Sequence, residues 1–256
     1  MAAVSSKSIQ GKLKHDAIVE AVFEMRFRVT TTPEILPEIL FGRLAEYDPW
    51  RSLTQRRMPF YGVPAAAREA NPNLRYQPFF ELIDSEKPTR FVRIGPQVLS
   101  YHRVAPYIGW ERFHPELEQA IDGLFEKSYG LTIERLGIRY MNALRSDIHG
   151  IRSISDLDMK LQVAGDIVSG NVNVNFTTAA SEQTDCTVRV ATTEFVQGDL
   201  PTNTSVYVDI DVFTKPGFET NDSADVKTWV VTAHANEKEQ FFRLLTEDTI
   251  QSLKEA

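Results

Sequence analysis

The chain has 256 residues, 42% of them apolar and 25% charged, ordinary values for a globular protein able to bury a core. Its net charge is −7 and its pI is near 5.3. Basic residues are scattered, with one short cluster at Arg51, Arg56 and Arg57. A duplex-binding surface needs clustered Lys and Arg to displace counterions, so the composition argues against a general nucleic-acid binder.

Other classes are also set aside. No run approaches the roughly 18 apolar residues of a membrane span. Residues 1–14 are Ser/Lys-rich, lack the apolar segment of a signal peptide and are expected to form a disordered tail. The single cysteine, Cys186, cannot form an internal disulfide, which points to the cytoplasm. Its neighbours Asp185 and Thr187 offer no positive charge to activate the thiol.

Residues 17–29 alternate well enough for a strand, but Ile18, Val22 and Met25 do not fit one face, so a bulge or burial on both faces is expected. Thr32-Pro33-Glu34 reads as a helix start, followed by the apolar row Leu36, Leu40, Leu44. Residues 49–72 read as a long polar loop, a place where function often sits. Strands are predicted over 76–84, 89–94 and 98–104, with turns at Ser85-Glu86-Lys87-Pro88 and Gly95-Pro96. A helix is predicted over 110–129, with Gly130 placed to cap it.

The same order then returns. Residues 133–144 read as a strand, 153–163 as a weak helix, and 170–178, 186–196 and 205–213 as strands. The last of these alternates Val206, Val208, Ile210 and Val212 against Tyr207, Asp209, Asp211 and Phe213, which describes a sheet with one face open to water. Val226, Trp229, Val230, Ala233, Phe241, Leu244 and Leu245 keep helical spacing, with a possible break where Thr246-Glu247-Asp248 resembles a new cap. The expected fold is α+β: two β-α-β-β-β-α units, 15–130 and 131–256, forming a largely antiparallel sheet with two long helices packed on one face. The units form either one continuous sheet or two docked ones.

Four segments carry a resemblance. They are Ala17-Ile18-Val19-Glu20-Ala21-Val22-Phe23-Glu24-Met25-Arg26-Phe27; Arg93 to Tyr101 followed by Tyr107-Ile108-Gly109-Trp110-Glu111; Leu136-Gly137-Ile138-Arg139-Tyr140-Met141-Asn142; and Ala233-His234 through Phe241-Phe242 to Leu245-Thr246. Together they resemble a sporadically distributed prokaryotic family of uncharacterised proteins of about this length. His102 departs from it, since the family often has Asn there. The resemblance implies no activity; the family's patchy distribution implies mobile genes, often defence or toxin–antitoxin loci.

The chain contains no G-x-S-x-G, H-E-x-x-H, C-x-x-C or phosphate-loop pattern, and no two of its five histidines stand three or four apart. No cofactor is implied. Asp209 and Asp211 are weak metal candidates, because two carboxylates two apart on a strand point the same way. The plainer reading is a solvated strand face neutralised by Arg189. Arg93, Tyr101, Arg139, Tyr140, Asn142 and His234 are candidate ligand- or partner-binding residues, each with a structural alternative. Trp110 and Trp229 are read as anchors of the two long helices. Glu20 calls for an ion pair with Arg26 or Arg139. Three functions compete. The first is a non-catalytic protein-binding module, antitoxin-like or chaperone-like. The second is a small-ligand or nucleotide-binding protein with a pocket between sheet and long helix. The third is a metal-dependent enzyme.

Overall fold

The computed structural model describes residues 13–30, 35–46, 50–84, 88–125 and 130–253. Its centre is two long strands that alternate core and solvent side chains. In β1 (Ile18–Arg28), Ala21, Phe23, Met25 and Phe27 are buried, while Glu20, Val22, Glu24 and Arg26 stay partly open. In β6 (Thr132–Arg145), Leu136, Ile138, Tyr140 and Asn142 are buried, while Arg135, Arg139 and Met141 are not. This period of two is what a sheet covered on one face requires. The two strands pair antiparallel, Phe23 opposite Ile138. Register shifts fall between Ile18 and Glu20 and between Arg26 and Phe27, the irregularity that the first strand's mixed pattern called for.

Seven more strands extend the sheet. On one side lie β5 (Val98–Val104), β4 (Arg90–Gly95), β3 (Phe80–Ile83) and β2 (Thr54–Arg57). On the other lie β11 (Thr204–Thr214), β10 (Thr184–Thr192) and β9 (Asn173–Ala179). The order is β2-β3-β4-β5-β1-β6-β11-β10-β9, every neighbour antiparallel, so the two halves share one sheet. The buried face meets α1 (Leu36–Leu44), α4 (Trp110–Phe125) and α5 (Ser223–Arg243). Phe113, Leu117, Ile121, Val226 and Val230 join the strand side chains in one core. None of the helices formed by the described residues is long and apolar enough to cross a membrane.

Three stretches differ from expectation. Residues 49–72 are not a plain loop. They hold a 3-10 turn at Trp50–Ser52, edge strand β2 and α2 (Ala65–Ala70), and α3 (Pro72–Arg75) begins at their end. The residues of β2, Thr54-Gln55-Arg56-Arg57, are all exposed, so the strand carries no apolar pattern to read. The strand over 76–84 shortens to Phe80–Ile83, because Pro78 has no N–H for a ladder. The helix over 153–163 is absent. Ser153 and Asp156 close a capping box on one 3-10 turn, Ile154–Asp156. A hairpin follows, β7 (Gln162–Val163) and β8 (Asp166–Ile167), turning through Ala164 and Gly165, both at positive φ. The chain does break at Thr246, whose Oγ1 accepts the Thr249 N–H at 3.2 Å ahead of α6 (Glu247–Leu253). The helix start at Thr32-Pro33-Glu34, the turn residues Ser85-Glu86-Lys87, residues 1–12 of the tail and Tyr129 lie outside the described residues.

Two glycines are fixed by geometry. Gly130 sits at φ +59°, and a Cβ there would fall 2.0 Å from Thr30 Oγ1. Gly95 has no unusual φ, but a Cβ would stand 2.6 Å from the Gln77 carbonyl oxygen, so close backbone approach excludes a side chain.

Under α4 the core carries a polar knot. Tyr101 is fully buried against Trp50 at 4.6 Å, and its hydroxyl donates to Glu116. Arg103 donates to the same carboxylate through Nε at 3.0 Å and again through Nη2. Removing one partner of a buried ion pair strands the other. Glu116→Ala is expected to cost about 3 kcal/mol, read as a shift in denaturant midpoint with unchanged slope; a shift under about 0.5 kcal/mol would reduce the knot to surface decoration.

Candidate functional site

The strongest site lies where β1 enters the sheet beneath α5. The bulge at Ile18–Glu20 brings Ile18 opposite Asn142. The Asn142 amide reaches the Tyr140 and Val208 carbonyls at 3.4 and 3.3 Å. Tyr140 is fully buried, with its hydroxyl 3.2 Å from that of Tyr107. Trp110 opens α4 and is clasped between imidazoles. His234 of α5 stacks on it at 3.8 Å and 12°, and His114 at 4.8 Å and 27°. One turn beyond His234 is Glu237, only 5% exposed. Ile18, Tyr107, Trp110, Tyr140, Asn142, His234 and Glu237, with Asp16, Lys238, Phe241 and Phe242, line a cavity of about 420 Å³.

Its electrostatics follow from burial. Burial, with the Asp16 charge second, pushes the Glu237 carboxyl up to about 8, so it is largely neutral at pH 7. Among the described residues no hydrogen bond or ion pair reaches that carboxyl. Burial, with Lys238 and His114, lowers His234 to about 4, so its imidazole is neutral too. Its Nδ1 is buried without a hydrogen-bond partner among the described residues. Burial likewise holds the Tyr107 and Tyr140 phenols protonated. The cavity thus combines aromatic walls, neutral donors and one carboxylic acid that lacks a partner among the described residues.

Of the residues singled out in the sequence, Tyr140, Asn142 and His234 meet here. Tyr101 belongs to the knot with Glu116. Arg93 and Arg139 lie on the opposite face, so the sheet separates them from Tyr140, Asn142 and His234. On that face a groove of about 710 Å³ is lined by Glu20, Glu24, Arg26, Arg93, Arg135, Arg139 and Asp211, among others. Its charges are paired across strands. Arg139 grips Asp209 at 2.7 and 2.5 Å, Arg135 reaches Glu24 at 2.9 Å and Asp211 at 3.6 Å, and Arg93 reaches Glu81 at 2.9 Å.

Two expected partnerships change. Arg189 stands opposite Asp209 in register, yet it donates to Asn173 and the Phe195 carbonyl, and Arg139 takes Asp209 instead. Glu20 pairs with neither Arg26 nor Arg139; its Oε1 lies 2.7 Å from His102 Nδ1. Among the described residues no group of three or more His, Cys, Asp or Glu is placed to hold a metal. Sequence reasoning missed Glu237, though the signal was there: Val226, Val230, Ala233, Glu237 and Phe241 form one buried helical stripe with a carboxylate in it. It also missed Ser100 and His102, two apart on β5 and on one face. Comparison with family models and with curated proteins found no match to this chain.

Trp110→Ala, which removes both stacking contacts and a cavity wall, is expected to destabilise by about 3 kcal/mol, and an unchanged melting temperature would make the indole a surface group. Glu237 gives a pH signature. Its carboxyl binds its proton more tightly folded (about 8) than at its ordinary value of 4.5. Its stabilising contribution is therefore complete below 4.5 and lost as pH rises through about 8. The groups facing it are Asp16, Lys238, Tyr107 and Tyr140. Glu237→Gln is expected to flatten the fall in melting temperature between about pH 5 and about pH 9; parallel wild-type and variant curves would refute the assignment.

Proposed function

We propose that this is a small-molecule-binding protein whose receptor site is the cavity between the sheet and α5. The ligand class is an organic molecule with a basic nitrogen on an apolar or aromatic body. The observation that carries this is Glu237, a 95% buried carboxyl without a described partner, aimed at an aromatic-walled space. Burying such a group without compensation costs several kcal/mol unless it stays protonated, and a cationic ligand would supply the missing partner. Asp16 and Glu111 also line the cavity, against Lys238 alone, so its charge balance favours a cation. Tyr107, Trp110 and Tyr140 add apolar and cation–π surface. The four segments that carry the family resemblance all contribute to this wall, which supports the same location.

The protein-docking reading has less support. Among the described residues the exposed large apolar side chains are Ile35, Tyr61, Val163, Ile167, Phe176, Phe195 and Val231. Apart from Val163 and Ile167 on one hairpin, they stand on separate elements, where a docking face needs contiguous apolar surface. The reading includes an internally duplicated architecture, supported by the mirrored order β1-β5-β4-β3 and β6-β11-β10-β9, and a cytoplasmic setting.

Calorimetry with phenethylamine and its neutral analogue 2-phenylethanol tests the proposal. The amine is expected to bind at least about 10-fold tighter, and Glu237→Gln to erase that preference, since a hydrogen bond to a charged group contributes about 1.5–3 kcal/mol. Binding at pH 7 is expected to release a proton, seen as a heat that differs between phosphate and Tris buffers. Equal affinities, or a preference that survives in Glu237→Gln, would refute it.

A further inference from the structure

The open sheet face carries a second, separate constellation. Ser100 and His102 are two apart on β5 and therefore point to the same side. The Ser100 hydroxyl lies 2.9 Å from His102 Nε2, and His102 Nδ1 lies 2.7 Å from Glu20 Oε1 on neighbouring β1. Each ring nitrogen thus meets the group that a nucleophile–base–carboxylate relay requires, in the order that relay requires. The ring is held in place by Phe91 on β4, which stacks on it at 4.3 Å and 15°. Ser100 and His102 are each 6% exposed, and all three residues line the groove of about 710 Å³.

We propose that Ser100 is the nucleophile of a hydrolytic site in this groove, acting on small carboxylic esters. The serine hydroxyl attacks the ester carbonyl carbon and passes its proton to His102 Nε2. Glu20 holds the Nδ1–H and steadies the imidazolium. The tetrahedral oxyanion faces Arg93, which stands directly across from Ser100 in the β4–β5 register. This role falls to a side chain because β5 lies between β4 and β1, where its backbone N–H groups serve the ladders. Collapse breaks the ester C–O bond, and the departing alcohol takes the proton from Nε2. Water repeats the sequence on the acyl-serine, giving the acid and restoring the hydroxyl.

The groove's arginines are already neutralised, so its walls select no substrate charge. Arg26, Arg93, Arg135 and Arg139 line it with the carboxylates Glu20, Glu24 and Asp211, and Arg93 and Arg139 are held by Glu81 and Asp209. Glu24 stands across Ser100 on β1 and is already bound by Arg26 and Arg135 at 2.8 and 2.9 Å. Burial lowers the His102 pKa against the pull of Glu20, which keeps the imidazole neutral and able to accept a proton.

The full chain is to be treated with a fluorophosphonate reagent and the labelled peptide mapped. The expected result is modification at Ser100, absent in Ser100→Ala and slowed at least about 100-fold in His102→Gln, the scale of a general base. 4-Nitrophenyl acetate is expected to be hydrolysed, and its turnover to lose a similar factor in both variants. A structural hydrogen bond would produce none of this. Failure to label Ser100 in the folded wild-type protein would overturn the proposal, as would labelling at an equal rate in His102→Gln. Labelling needs no variant to fold, and it does not depend on the amine cavity on the other face.

Discussion

The pairing of β1 with β6 is the constraint on which both faces of this molecule depend. It sets Phe23 against Ile138 and Val22 against Arg139. One set of side chains thus goes to the core and the other to the groove. A slip of one residue would exchange the two sets, placing arginines and glutamates under the helices. The apolar demand of the core therefore fixes where every charge on the open face stands. The bulge at Ile18–Glu20 works within that register, bringing Ile18 to Asn142 at one end of the strand pair.

The two faces handle polar groups in opposite ways. On the open face nearly every charge meets a partner across strands, as Arg139 does Asp209 and Arg135 does Glu24. Such pairs organise side chains while adding little stability where water reaches them. Beneath the helices the tolerance is lower. Tyr101, Arg103 and Glu116 satisfy one another completely. Glu237 joins no such network among the described residues, and it avoids the cost of a buried charge by holding its proton. A helix stripe that accepts a carboxylate where a leucine would pack better gives up stability at that position. Such local inconsistencies are where binding chemistry is found.

The two proposed sites draw on different levels of structure. The cavity under α5 is assembled from segments far apart in the chain: Asp16, Tyr107, Tyr140 and Glu237 meet only when four elements pack. The Ser100–His102–Glu20 relay needs only two adjacent strands in the correct register. It can form wherever β1 and β5 pair, and the groove adds access.

Much of the architecture was legible in the chain itself. Period-two alternation in residues 17–29, 133–144 and 205–213 marked the central strands, and helical spacing marked α4 and α5, because burying one face imposes those periods. The stretches that misled were those with no burial pattern: edge strand β2, all exposed, and residues 153–163, whose caps hold a single turn. The site was legible only in pieces. Tyr140, Asn142 and His234 stood out as polar or aromatic groups among apolar neighbours. Glu237 hid in its stripe because helical periodicity records position and not charge. Ser100 drew no attention, and His102 stood out only as a departure from the resembled family, until Glu20 was placed beside them. The sequence by itself determined the α+β class, the antiparallel strands and which side chains share a face, since these follow from local periodicity. Only the tertiary structure decided that Arg139 rather than Arg189 takes Asp209, that His102 rather than an arginine takes Glu20, and that Glu237 is left without a partner among the described residues. Those outcomes depend on register and reach between strands and helices distant in the chain, which no local pattern encodes.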